Sequence, residues 1–300
     1  MPETFCRIGE IDLCYETFGD PADPAMLLIM GLGTQMLGWD TQFCEQLAAR
    51  GFHVIRYDNR DIGHSTILDD LPAPTLRQLI RRDKRAVAYT LADLAADGVG
   101  LLDELGIERA HLVGASMGAM IAQLIAARRP ERVLSLVSIM SNTGSRLSGQ
   151  PAPSTYRLFL RPMARDRDAY VRQAAELFEH IGSRGFDTDD AAFREMLGAM
   201  HDRGHSPGSA SRQLAAILAA GNRTGELRHI TAPTLVIHGT ADRLIRPSGG
   251  RATARAIPGA HLLTIEGMGH DLPRGAWPQI IDAIAQNAAR AGAPASRQTA

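Results

Sequence analysis

The chain has 300 residues, 45% apolar and 22% charged, with 32 basic against 33 acidic side chains and a formal net charge of -1. That composition suits one or two globular domains with a substantial core, and it excludes bulk disorder and a small disulfide scaffold. The balanced charge leaves no electrostatic footprint for nucleic acid, and no apolar run reaches the length of a membrane span.

The three cysteines, Cys6, Cys14 and Cys44, are odd in number and all early. They read as free thiols in a reducing, cytoplasmic compartment. Met1–Phe5 lacks the basic and apolar regions of a secretory signal. Lys84 is the sole lysine; the scattered arginines read as codon bias of a GC-rich bacterial genome, because they form no nucleic-acid stripe.

In chain order, Ile8–Phe18 and Met26–Met30 are predicted strands around the turn Gly19-Asp20-Pro21. A helix is predicted over Asp40–Arg50, a strand over His53–Tyr57 and an amphipathic helix over Thr90–Leu105, stopped by Gly106. Strand Ala110–Val113, helix Met117–Arg129 and strand Val133–Met140 follow. Between Thr143 and Gly225 only helical patterns occur, over Asp168–Ile181, Asp189–Met200 and Ser209–Ala220. The alternation then resumes with strand Thr234–Gly239, helix Ser248–Ala256, strand Leu262–Ile265 and helix Trp277–Ala289, before a loose tail over Gly292–Ala300. Strands alternating with helices predict a largely parallel sheet covered on both faces. The helical stretch predicts a division into a core domain, 1–142 and 226–300, and a helical cap, 143–225, over the strand ends where ligands bind.

Gly114-Ala115-Ser116-Met117-Gly118 is a G-x-S-x-G string between a predicted strand and a predicted helix. In that context the serine sits on a sharp turn with its hydroxyl above the sheet, at the positive end of a helix. A plain glycine turn is the alternative reading. A serine hydroxyl needs a base. His270 lies just past the last strand, at the same sheet edge as Ser116, whereas His53, His111 and His261 begin strands at the opposite edge and His238 sits inside an apolar strand. His201 and His205 are four apart but lack the H-E-x-x-H glutamate, so no metal site is expected. The base needs an acid to hold its tautomer. Asp242 follows strand Thr234–Gly239, while the rival position after Val133–Met140 offers Ser141-Asn142-Thr143 and no acid. A helix-capping aspartate is the blander role for Asp242. Ser116, Asp242 and His270 stand in the chain order Ser…Asp…His.

Met30-Gly31-Leu32-Gly33, the run Tyr57–Ser65, Gly114–Gly118 and Gly267-Met268-Gly269-His270 together resemble the α/β-hydrolase-fold serine hydrolases over nearly the whole chain. Gly19–Pro24, Met30-Gly31-Leu32 and Trp39 narrow the resemblance to the aclacinomycin-methylesterase-like branch. The resemblance implies an α/β fold with a mostly parallel twisted sheet flanked by helices and an inserted helical cap. It departs from pattern twice: Met30 replaces the histidine of the usual His-Gly opening, and Asp61 replaces the first glycine of the usual D-x-R-G-x-G-x-S.

An oxyanion hole needs two backbone N–H groups. Met117, after the nucleophile, is one; the resemblance implies Leu32 as the other. Trp39 and Phe43 either line the pocket or pack in the core, and Arg60 is expected to shape its loop. The cluster Arg81–Arg85 reads as a solvated surface. No G-x-G-x-x-G with its acidic partner and no Walker motif occurs, so no cofactor is expected. The expected activity is carboxylic-ester hydrolysis through a serine acyl-enzyme, acting on a small-molecule ester. A cofactor-free perhydrolase or haloperoxidase, a C–C bond hydrolase and a ligand-sensing hydrolase-fold receptor are the alternatives. No nucleic-acid or membrane partner is expected, and a homodimer is left open.

Overall fold

The computed structural model of the chain describes residues 2–292 apart from Pro162 and His205, and the side chain of Phe159 is also outside the description. His205 and nearly all of the expected tail therefore lie outside the described residues. Among the described residues eight strands form one sheet in the order β1-β2-β4-β3-β5-β6-β7-β8. They are β1 (Thr4–Ile8), β2 (Ile11–Phe18), β3 (Ala25–Ile29), β4 (His53–Tyr57), β5 (Ala110–Ala115), β6 (Val133–Ile139), β7 (Thr234–Gly239) and β8 (His261–Ile265). β1 and β2 pair antiparallel, as do β2 and β4; every other pairing is parallel. The chain has the α/β-hydrolase fold.

The central strands carry apolar side chains on both faces, as a sheet covered on both sides requires. All five residues of β3, Ala25-Met26-Leu27-Leu28-Ile29, are buried, whereas the edge strands β1 and β8 are mostly exposed. One face is covered by α3 (Leu91–Glu104), α4 (Met117–Arg128) and α10 (Ser248–Ala256), with Leu94, Leu101, Ile121 and Leu124 in its core. The other is covered by α1 (Thr41–Ala48) and α11 (Trp277–Ala289), with Phe43, Leu47, Ile280 and Ile284. Trp39 and Phe43 stack at 5.7 Å between ring centroids, and Phe43 meets Trp277 edge-on at 5.6 Å. Both are core residues of that second face.

The strand expected over Ile8–Phe18 begins at Ile11 and is the second arm of a hairpin whose first arm, β1, ends at Ile8. Ile8 pairs with Ile11 across Gly9-Glu10, and Gly9 has φ +59°. A two-residue turn with a positive φ at its first position favours glycine there, so Gly9 ends one strand and aims the next back along it. α2 (Leu76–Arg81) is a further element that the periodicity did not flag.

Between β6 and β7 the chain runs through α5 (Pro153–Phe159), α6 (Arg167–Ile181), α7 (Asp190–Asp202), α8 (Ser209–Ala220) and α9 (Thr224–Leu227). α6 and α7 share a small core of Ala174, Ala175 and Leu197. Two arginines from this stretch reach the loop after β4. Arg212 on α8 forks onto Asp61 at 2.6 and 2.7 Å, with both side chains buried. Arg203 pairs with Asp58 at 2.5 Å and with Glu3 at 2.6 Å. Among the described residues no helix is long and apolar enough to cross a membrane.

Candidate active site

Sheet topology brings the site together. β3 lies between β4 and β5, so the chain leaving β3 turns to one side, towards β4, and the chain leaving β5 turns to the other, towards β6. A crevice opens outside the carboxyl ends where the winding reverses. The Met30–Gly33 loop leaves β3 there and Ser116 leaves β5 there. The loops after β7 and β8, carrying Asp242 and His270, reach the same edge.

Ser116 has φ +54° and ψ -115°, a backbone conformation costing roughly 1–3 kcal/mol that surrounding structure must hold. Its N–H donates to Ile139 O at 2.9 Å, and its carbonyl accepts from Ser141 Oγ at 2.9 Å. The glycines of the motif allow the turn. A Cβ on Gly114 would strike the backbone of Gly118, and one on Gly118 would strike the Ile29 carbonyl. The tight return places the hydroxyl at the N-terminus of α4, where the helix dipole favours developing negative charge.

His270 Nε2 lies 3.0 Å from Ser116 Oγ, and His270 Nδ1 lies 2.8 Å from Asp242 Oδ2. A carboxylate only accepts, so the proton sits on Nδ1 and Nε2 is left as the acceptor facing the serine hydroxyl. Asp242 Oδ1 takes the N–H groups of Leu244 and Ile245 at 2.9 and 2.8 Å, which aims Oδ2 at the imidazole. Burial opposes ionisation of Asp242, but the charge of His270 and hydrogen bonds from His238 and His270 outweigh it and hold the carboxyl down at about 2. The three sequence-predicted side chains thus form one continuous chain of contacts.

His238, assigned to the core by sequence, also touches this chain. It is buried, as expected, but its Nε2 is 2.7 Å from Ile245 O and 3.4 Å from Asp242 Oδ2. Both partners accept, so Nε2 carries the proton, and the second hydrogen-bonding histidine of Asp242 comes from the strand itself. The available signal was its spacing: His238 and Asp242 are four apart across the end of β7.

The Met30–Gly33 loop abuts the serine: a Cβ on Gly31 would lie 3.2 Å from Ser116 Cβ. Leu32 N has no hydrogen-bond partner among the described residues. Met117 is the first residue of α4, whose N–H finds no carbonyl one turn back in the helix. Arg60 forks onto Asp97 with both contacts at 2.5 Å, the loop-shaping role expected of it.

The 143–225 stretch reaches the loops that carry His270 and Asp242 too. Ile181 O accepts from His270 N at 2.8 Å, and Ser183 Oγ accepts from Gly269 N at 2.9 Å. Ala152 N donates to Arg243 O at 2.8 Å, beside Asp242. Phe178 on α6 meets Phe193 on α7 edge-on at 5.3 Å.

One trio among the described residues, Glu3, Cys14 and His64, brings three donor atoms within 4.8 Å of one another. Arg203 already supplies a cation there, donating to Glu3 at 2.6 Å and to Cys14 Sγ at 3.4 Å. Burial and nearby carboxylates push the Cys14 thiol up to about 12, so it stays protonated. A protonated thiol beside a guanidinium is a poor metal ligand.

Comparison with known proteins agrees with the fold. A family model described as alpha/beta hydrolase fold matches residues 24–273. The chain is 32% identical over 294 residues to the rhodomycin D methylesterase DnrP of Streptomyces peucetius, covering 91% of this chain and 93% of that protein. It is 29% identical over 277 residues to a 2-hydroxy-6-oxononadienedioate/2-hydroxy-6-oxononatrienedioate hydrolase of Pseudomonas putida, covering 89% of each. A thermophilic esterase from Thermogutta terrifontis is similar in structure at TM-score 0.73 and 22% identity, over 98% of this chain and 100% of that one. At that identity the likeness is one of fold.

Proposed function

This chain belongs to the alpha/beta hydrolase fold family, in its aclacinomycin-methylesterase-like branch, and from that premise we propose that it hydrolyses carboxylic esters by an acyl-enzyme route on Ser116, His270 and Asp242. The fold and the methylesterase relatives support an esterase. The observation that carries the finer reading is the contact chain from Ser116 Oγ through His270 to Asp242, at 3.0 and 2.8 Å.

In this reading His270 Nε2 takes the Ser116 proton as Oγ attacks the ester carbonyl. The carbonyl oxygen gains negative charge and receives the N–H groups of Leu32 and Met117, with the dipole of α4 behind the second. Asp242 stabilises the imidazolium without taking its proton. The intermediate collapses, His270 hands the proton to the leaving alcohol, and the acyl group remains on Ser116. Water then attacks with His270 as base, and the acid departs. Residues 143–225 form the cap and supply the pocket roof. The methylesterase relatives favour a methyl ester borne by a larger small molecule. Three unbridged thiols favour the cytoplasm.

A second reading, C–C bond hydrolysis, is favoured by the likeness to the Pseudomonas dienedioate hydrolase. It would use the same serine and histidine on a ketone carbonyl. Turnover of p-nitrophenyl acetate, a panel of methyl esters and a dienoic ketone separates the two. Ser116→Ala should fold normally and lose several orders of magnitude of ester turnover, keeping about 10³–10⁴-fold over water. Near-normal turnover by purified Ser116→Ala protein would refute the assignment of the nucleophile.

A further inference from the structure

The oxyanion loop of this chain lacks the histidine that usually opens it, since Met30 stands there. A donor on a loop helps catalysis only if its direction is held before the charge develops. The loop is held from two sides. Asn59 Nδ2 donates to Met30 O at 3.1 Å, just before the turn. Gly33 N, one peptide after Leu32, donates to Gln213 Oε1 at 2.8 Å. Gln213 lies on α8, 180 residues further along the chain, and is fully buried.

The other end of the Gln213 amide is also engaged. Its Nε2 donates to Arg60 O at 3.3 Å, and Arg60 is fixed by its fork onto Asp97. One planar amide therefore ties the oxyanion loop to the rigid loop after β4. Its neighbour Arg212 docks the same turn of α8 onto Asp61. A buried glutamine would be costly without these partners, and no other use of its two polar ends occurs among the described residues.

We propose that Gln213 is a positioning residue for the oxyanion hole: through Gly33 it sets the direction of the Leu32 N–H, so the cap braces the catalytic machinery as well as roofing it. The proposal rests on the serine-esterase reading above. The Gln213 amide bonds Gly33 and Arg60 and makes no hydrogen bond to Ser116 among the described residues, so it acts through the loop and its effect is expected in the transition state.

Gln213→Met keeps the volume and removes both hydrogen bonds. Loss of a whole oxyanion donor costs about 10²–10³ in kcat; a loosened donor should cost about 10- to 100-fold. KM for p-nitrophenyl butyrate should stay within about threefold, because the ground-state carbonyl gains little from the hole. Affinity for an aryl trifluoromethyl ketone should fall in step with kcat/KM, because Ser116 Oγ adds to its carbonyl and leaves an oxyanion in the hole. Affinity for the product acid should not change. Gln213→Asn, one methylene too short to span Gly33 and Arg60, should behave alike, and it carries the test if Gln213→Met does not fold. Wild-type affinity for the ketone in the folded variant, or an equal loss for ketone and product acid, overturns the proposal. Ser116→Ala run beside it separates the two failures: an active Ser116→Ala sinks the serine reading, whereas an inactive one beside a fully active Gln213 variant sinks only the brace.

Discussion

Asp242 is the residue whose surroundings do most to set the site. Its two oxygens have separate tasks: Oδ1 is taken by the Leu244 and Ile245 N–H groups, and Oδ2 faces His270 and His238. Burial alone would raise its pKa, yet the histidines hold it at about 2, below the ordinary 3.8. A lowered folded-state pKa gives stability that is fully present above about pH 4 and is lost as pH falls towards 2, worth about 2 kcal/mol. Urea unfolding between pH 5 and pH 2.5 should show this loss in the wild type and not in Asp242→Asn; equal pH slopes in the two proteins would contradict it. Asp242→Asn should also lower kcat by about 10³–10⁴, because an amide no longer demands a proton on His270 Nδ1.

Among the elements, α6 and α7 form a unit with its own core, in which Phe178 and Phe193 meet edge-on. An aromatic pair of this kind contributes about 0.5–1.5 kcal/mol beyond its buried area. Phe178→Ala should therefore loosen this unit modestly. A pocket contact of one methylene discriminates by only about 1–3 kcal/mol, so selectivity between p-nitrophenyl acetate and longer acyl esters should shift by tens-fold at most. Acetate kcat should stay within about threefold. A fall in kcat as deep as that expected of Gln213→Met would mean that α6 and α7 hold the catalytic loops as strongly as α8 does.

At the scale of the whole molecule, buried ion pairs join the 143–225 stretch to the core. Arg212 is 2% exposed and Asp61 is fully buried, and Asp61 sits at φ +68° where the usual pattern has glycine. Removing Arg212 leaves the buried Asp61 carboxylate without its guanidinium, at about 3–5 kcal/mol, whereas removing Asp61 leaves Arg212 still paired with Asp69 at 3.1 Å. Arg212→Met should lose stability on that scale, and Asp61→Gly should lose less. The double variant should lose clearly less than the sum, since no buried unpaired charge remains, Asp69 being exposed, and glycine relieves the positive φ. Urea midpoints and slopes for the four proteins form the cycle; simple additivity would show that the pair is not coupled.

The chain by itself determined the alternation of strands and helices, because apolar runs and their periods are local: His53–Tyr57, Ser209–Ala220, Thr234–Gly239, Ser248–Ala256 and Trp277–Ala289 have the same limits in sequence and structure. Ser116, Asp242 and His270 were legible as candidates for the same reason, since each lies at a strand's carboxyl end and the fold gathers those ends. The Gly9 hairpin was missed because β1 is an edge strand with little apolar signal. His238 was half legible, as a buried residue but not as a neighbour of Asp242. Gln213, Arg212 and Arg203 were illegible: on an isolated helix a glutamine or arginine reads as solvent-facing. Only tertiary structure buried them against Gly33, Asp61 and Asp58, and it did so because partners 145 to 180 residues away offered groups that satisfy them.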